Sequence, residues 1–294
     1  MANQSAVDLS QVKLSVSDHS RDSAGLHYVY PVISRRAGGL SIGINLNTNN
    51  ACNWRCIYCQ VPDLKRGKAP EVDLELLGNE LHGFISDILH GDFYSRNAIP
   101  PELRKIRDIA ISGNGEPTSA SAFHRVVRII GDVVEEFALS GKIKLVLITN
   151  GSLIYRSQVQ KGLACLSELN GEVWFKLDSA TRRGLSFINN TSLSIEKVRN
   201  NLETASGLCP TWIQTCVFAY QGMPPSGEEQ GAYIEFIESV LEKGSNIKGV
   251  LLYGIARPSL QPEARFLSRL PTEWLKQFAA EINKKTGIEV KVNP

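Results

Sequence analysis

Strand-like and helix-like stretches alternate from residue 40 to residue 292, and this alternation limits the possible folds of the 294-residue chain more than any other feature. Strands are expected at Leu40–Asn47, Ile106–Ser112, Ile143–Asn150, Val173–Asp178, Trp212–Phe218 and Lys248–Arg257, with a last one at Ile288–Val292. Between them apolar residues recur every three or four positions. Leu74, Leu77, Leu81, Ile85 and Ile88 mark one helix, and Val127, Ile130, Val134 and Phe137 the next. Val198, Leu202 and Ala205, then Ile234, Ile237 and Leu241, then Leu275, Phe278 and Ile282 mark three more. Strands joined by helical crossovers run parallel, so the class is α/β.

The strands also alternate within themselves. Leu40, Ile42, Ile44 and Leu46 share one face, and Ser41, Gly43, Asn45 and Asn47 the other. Phe175 and Leu177 oppose Trp174, Lys176 and Asp178, while Ile213, Thr215 and Val217 oppose Gln214 and Cys216. Strands of a flat parallel sheet covered on both sides read instead as continuous apolar runs. The pattern predicts a curved sheet with helices outside and an open polar interior, a partial (β/α)6 barrel over residues 39–260. Residues 1–38 form an N-terminal extension of weak periodicity, which either covers one end of the barrel or stays mobile. Residues 261–294 supply a C-terminal helix and the last strand.

Composition excludes several classes. Hydrophobic residues are 43%, charged residues 21% and the net charge +2, as in ordinary globular proteins, with nothing that marks a nucleic-acid binder. No window approaches the roughly 18 apolar residues of a membrane span. The first residues lack the charged start and apolar run of a secretory signal. Six cysteines, three of them within residues 52–59, do not make a disulfide framework. A cytoplasmic chain with no membrane partner is the expectation.

The crowded cysteines read Asn50-Ala51-Cys52-Asn53-Trp54-Arg55-Cys56-Ile57-Tyr58-Cys59, a C-x3-C-x2-C spacing directly after the first expected strand. Thiolates are the ligands of iron–sulfur clusters, and three of them on a four-iron cube leave one iron open to an exogenous ligand. A structural zinc site asks for four protein ligands, and the nearest imidazoles, His27 and His82, lie well outside this loop. A non-enzymatic metal-binding protein, using the triad for zinc or for cluster storage, stays open as an alternative.

The motif, with aromatic Tyr58 before its last cysteine, resembles the radical S-adenosylmethionine (SAM) superfamily. The chain looks closest to the stand-alone group that contains tRNA wyosine-forming enzymes and glycyl-radical activases. The resemblance implies that Cys52, Cys56 and Cys59 hold a [4Fe–4S] cluster whose open iron chelates SAM. It implies reductive cleavage of SAM to a 5′-deoxyadenosyl radical, driven by an electron donor such as flavodoxin or ferredoxin. Tyr58 then lies near the adenine. The run from Ser112 to Thr118 resembles the Gly-Gly-Glu-like motif of the family in its Gly-x-Gly-Glu-Pro form, which places Gly113, Asn114, Gly115 and Glu116 at the amino group of SAM. Thr149 and Asn150 border the same pocket. By the same resemblance Lys176 meets the SAM carboxylate, Asp178 the ribose hydroxyls, and Gln214 makes a contact of that kind. Arg257, at a strand end, is placed to clamp a carboxylate or phosphate. Cys216 faces the interior, either as a reactive group (a thiol, second-cluster ligand or carrier nucleophile) or as buried filler. The substrate (small molecule, tRNA or protein) is not legible. Cleavage of another SAM bond, with aminocarboxypropyl or methyl transfer, is the alternative outcome.

Overall fold

The computed structural model describes residues 25–34 and 38–293. Its centre is one eight-stranded sheet whose strands lie side by side in chain order: β1 (Val29–Ser34), β2 (Gly39–Ile44), β3 (Ile106–Ile111), β4 (Lys144–Thr149), β5 (Glu172–Lys176), β6 (Thr211–Val217), β7 (Ile247–Gly254) and β8 (Val290–Asn293). From β2 to β8 every neighbouring pair is parallel, and β1 alone runs antiparallel, against β2. β1 and β8 remain edges, so the barrel is partial rather than closed. Among the described residues seven helices of eight or more residues connect or flank the strands: α1 (Leu74–His90), α2 (Phe123–Glu136), α3 (Ser157–Glu168), α4 (Arg182–Asn189), α5 (Ile195–Leu208), α6 (Gly227–Glu242) and α7 (Thr272–Thr286).

Packing follows the two periods. Leu40, Ile42, Ile44, Ile109, Ile111, Leu145, Leu147, Val173, Phe175, Ile213, Val250 and Leu252 point outward into one core. There they meet the apolar stripes of the helices, such as Leu77, Leu81 and Ile85 of α1 and Phe123, Val127 and Ile130 of α2. Each such side chain contributes about 1.5–3 kcal/mol by leaving water. The opposite strand positions, Ser41, Asp108, Ala110, Ile148, Trp174, Lys176, Gln214, Leu251 and Tyr253, stay partly exposed. The inner face is therefore partly open, with the polar Ser41, Asp108, Lys176 and Gln214 among its residues.

The expected last strand is present as β8, and of the strands in this sheet only β1 was not expected. β8 continues the parallel sheet, with Val250 opposite Val290. β1 lies where no period is legible, because Tyr28, Val29, Tyr30 and Ile33 are all buried and alternation is lost. It also carries Pro31, which an edge strand tolerates because it need not donate on both sides. Tyr30 pairs with Gly43 and crosses it, where a Cβ would lie 2.1 Å from the ring, so only glycine fits beneath. Among the described residues no helix is long and apolar enough to cross a membrane.

Candidate active site

The loop after β2 is shaped by side-chain amides. Asn45 Oδ1 accepts from the Asn47 N–H at 3.1 Å, and Asn47 Nδ2 donates to Ala51 O at 2.8 Å. Asn50 adopts φ 55°, a left-handed conformation that asparagine tolerates better than most residues. Ala51–Cys52 then pairs with Lys65–Arg66. Two segments clamp the loop. The Asn189 and Ile188 carbonyls at the end of α4 accept from the Arg55 and Ile57 N–H groups at 3.2 and 2.8 Å. After β7, the Leu260 N–H and Ser259 Oγ donate to Cys59 O at 2.9 and 3.2 Å, and Gln60 Nε2 donates to Arg257 O at 3.2 Å.

Cys52, Cys56 and Cys59 are free, partly buried thiols on this clamped loop. The Trp54 N–H donates to Cys52 Sγ at 3.4 Å, and Asn189 Nδ2 donates to Cys56 Sγ at 3.2 Å. Burial pushes Cys52 up to about 12; the Trp54 N–H opposes it, and Glu116, Cys56 and Cys59 add to it. Burial likewise pushes Cys56 up to about 12, reinforced by Asp178 and opposed by Lys176 and Asn189. The three thiols thus share one electrostatic neighbourhood. Among the described residues no three His, Cys, Asp or Glu side chains are grouped so as to hold a single metal ion. A four-iron cube makes a looser demand, since each thiolate binds a different iron. Three soft donors on one short loop, none in a disulfide, fit such a cluster.

The turn after β3 lies tightly against this loop. A Cβ on Gly113 would lie 2.2 Å from Asn45 Oδ1, and one on Gly115 would lie 2.1 Å from Ala51 O. Asn114 donates through its N–H to Asn45 Oδ1 at 3.0 Å and through Nδ2 to Asn50 Oδ1 at 2.6 Å. Glu116 is buried, with its carboxylate turned toward the protein. Oε1 accepts from Thr118 Oγ1, the Thr118 N–H and Thr149 Oγ1 at 2.6, 3.1 and 2.6 Å, while Oε2 accepts from the Asn150 N–H at 2.7 Å. Burial nevertheless holds its carboxyl above the usual glutamate range, against those hydrogen bonds. Asn150 reaches the cysteine loop, its Nδ2 donating to Asn53 Oδ1 at 2.8 Å.

A second polar group gathers on the interior face of β5 to β7. Lys176 Nζ donates to the Tyr253 hydroxyl at 2.8 Å and lies 5.0 Å from the centre of the Tyr58 ring. Burial works against its charge, but Asp178, then Tyr253, Cys56 and Cys216, outweigh that, and its pKa lies well above the ordinary lysine value. Asp178 accepts from the Tyr58 hydroxyl, from Asn189 Nδ2 at 2.7 Å and from the Cys216 N–H at 2.9 Å. Gln214 stands beside Lys176 in register, partly exposed. Cys216 packs in a small buried cluster with Ile57, Phe218 and Ile255, and burial pushes its thiol far up. Arg257 lies on the loop beyond β7 and is partly exposed.

Tyr253 and Asn189 were not among the residues singled out from sequence. Alternation from Leu251 places Tyr253 on the interior face, a signal that was legible. Asn189 gives none, because its partners lie far away in the chain.

No family model matches this chain. A "UPF0026 protein" from Helicobacter pylori strain J99 is 25% identical over 231 residues, spanning 78% of this chain. The match covers 66% of that relative, and the same holds for its counterpart in strain 26695. A radical SAM methyltransferase from Sphaerobacter thermophilus superimposes with a TM-score of 0.58 at 14% identity, over 90% of this chain and 68% of the other. A TYW1 structure with a lysine–pyruvate adduct bound gives 0.56 at 15% identity, over 84% and 74%. Spore photoproduct lyase gives 0.55 at 10% identity, over 90% and 78%. The chain has the fold of radical SAM enzymes.

Proposed function

We propose that this chain, built on the radical SAM fold, is a cytoplasmic radical SAM enzyme with a [4Fe–4S] cluster held by Cys52, Cys56 and Cys59. One observation carries the reading: three free thiols of a clamped loop follow the C-terminal end of β2 in a partial barrel, and Asn189 Nδ2 links one of them, Cys56, to Asp178 of the interior polar group. Ligands of parallel α/β folds collect at that end of the strands, where loops and strand ends converge. A cluster held by Cys52, Cys56 and Cys59 would supply, when reduced, the single electron that reductive cleavage of SAM to methionine and a hydrogen-abstracting 5′-deoxyadenosyl radical requires.

The residues of the chain bind and orient. Lys176, kept charged by Asp178, receives the SAM carboxylate. Asp178 accepts three donors already and has room for about one more, which suits a ribose hydroxyl. Tyr58, held by Asp178, lies against the adenine, with Gln214 at the same wall. The Gly113–Gly115 turn brings backbone close to the cysteine loop and offers carbonyls to the ammonium group, while Glu116 pins that turn to Thr149 and Asn150. Arg257 orients an anionic substrate at the rim. The electron comes from a flavodoxin- or ferredoxin-type donor, and the substrate is a small molecule, a tRNA or a protein.

Anaerobic reconstitution tests this. The expected result is about four irons per chain and 5′-deoxyadenosine formed from SAM after reduction. Methylthioadenosine or S-adenosylhomocysteine would move the reading to aminocarboxypropyl or methyl transfer. A colourless zinc protein with no nucleoside product would end it.

A further inference from the structure

We infer that Asn189 is a positioning residue for the metal centre, donating an N–H···S hydrogen bond to Cys56 with one amide hydrogen and holding Asp178 with the other. The inference rests on Cys56 being a cluster ligand. Asn189 closes α4 and is 0% exposed. Its Nδ2 lies 3.2 Å from Cys56 Sγ and 2.7 Å from Asp178 Oδ2. The carboxylate fixes which way the amide faces, because turning it over would set Oδ1 against an oxygen that only accepts. Both hydrogens are therefore committed. Asp178 is itself held by the Tyr58 hydroxyl and the Cys216 N–H, so the amide cannot drift. The main chain of Asn189 grips the same loop, its carbonyl accepting from the Arg55 N–H.

Asn189 Oδ1, by contrast, is buried and has no hydrogen-bond partner. Buried acceptors are rarely left unmade. Here the amide is aimed by its two donors, and the oxygen is left facing the packed interior as a consequence. A leucine would fill the same space without that cost, so the donors are the reason for asparagine.

An iron-bound thiolate sulfur gains negative charge when its cluster is reduced. A fixed N–H donor stabilises that state and raises the reduction potential, and it also keeps the Cys56 side chain turned toward the centre.

The test uses the full chain as wild type, Asn189→Ala and Asn189→Leu. A control, Asn201→Ala, alters another buried asparagine, whose Nδ2 donates to Gly151 O at 2.8 Å. After anaerobic reconstitution, iron per chain is counted and the midpoint potential is read by EPR-monitored titration. Both Asn189 variants are expected to lose at least about tenfold in the equilibrium constant for reduction, a shift of about 59 mV to more negative potential for one electron. Asn201→Ala should leave the potential in place. A folded Asn189 variant that takes up no iron, while Asn201→Ala loads normally, also supports the positioning role. Loaded Asn189 variants with wild-type potentials, or an equal shift in Asn201→Ala, overturn it. Should both Asn189 variants fail to fold, Asn189→Gln, which keeps the donors on a longer arm, must still move the potential. A wild-type chain that takes up no iron removes the functional reading and this inference together, whereas a loaded wild type with unmoved variants removes only the inference.

Discussion

Both oxygens of Glu263 meet the two terminal nitrogens of Arg55, at 2.7 and 2.8 Å, across 208 residues of chain. Arg55 lies between Cys52 and Cys56, so this bidentate pair ties the cysteine loop to the segment beyond β7. Removing it by Arg55→Ala is expected to lower apo stability by only about 1 kcal/mol, as for other partly solvated pairs. Iron retention through gel filtration should fall much more. Equal loss of stability and iron would contradict a specific clamp.

The same pair has a pH signature. The Arg55 hydrogen bond holds the Glu263 carboxyl below its usual value of 4.5. A lowered folded-state pKa stabilises above the unfolded value and is lost as pH falls through the folded one. The stability difference between wild type and Glu263→Gln should therefore be full near neutrality and vanish in acid, which thermal melts from pH 7 down to about pH 3 would read.

Asp108 should show the opposite sign. Burial raises its pKa above 3.8, opposed by the Ser41 hydroxyl, reinforced by Glu172 and opposed again by Lys144. A raised carboxyl binds its proton more tightly when folded, so its contribution is present in acid and lost as pH rises through the folded value. Asp108→Asn, which can still accept from Ser41, should gain in melting temperature relative to wild type as pH rises toward neutrality. An unchanged difference across that range would refute the reading.

Glu116→Gln is expected to destabilise by about 1–3 kcal/mol despite its matched shape. Each carboxylate oxygen faces a backbone N–H, that of Thr118 or that of Asn150, so neither orientation of an amide avoids setting donor against donor. Chemical denaturation measures this directly; a neutral result would mean that the turn relaxes freely.

Lys176→Met should weaken SAM binding tenfold or more, on the order of the 1.5–3 kcal/mol of a charged hydrogen bond. Tyr253→Phe, which removes only the hydroxyl 2.8 Å from Lys176, should cost less. Isothermal titration with reconstituted protein would rank them, and the reverse order would displace Lys176 from the carboxylate.

Much of this architecture is local and so was legible. Alternation of period two marked β2, β5 and β6, because one face of each packs into the core under the helices. The C-x3-C-x2-C loop needed only its own spacing, and Lys176 and Asp178 were placed on one face by their separation of two. β1 was hidden, since Tyr28, Val29, Tyr30 and Ile33 are all buried and leave no period to read.

Sequence alone determined the class of the sheet, the identity of the three thiols and the side on which the polar residues stand, because these depend on neighbours a few positions apart. Tertiary structure decided what each polar group is bonded to. Glu116 reaches Thr149 and Asn150 over 33 and 34 residues, Asn189 reaches Cys56 over 133, and Arg55 reaches Glu263 over 208. Hydrogen bonds need donors and acceptors within about 3 Å, and only the folded sheet, by bringing successive strand ends to one edge, brings such distant residues that close.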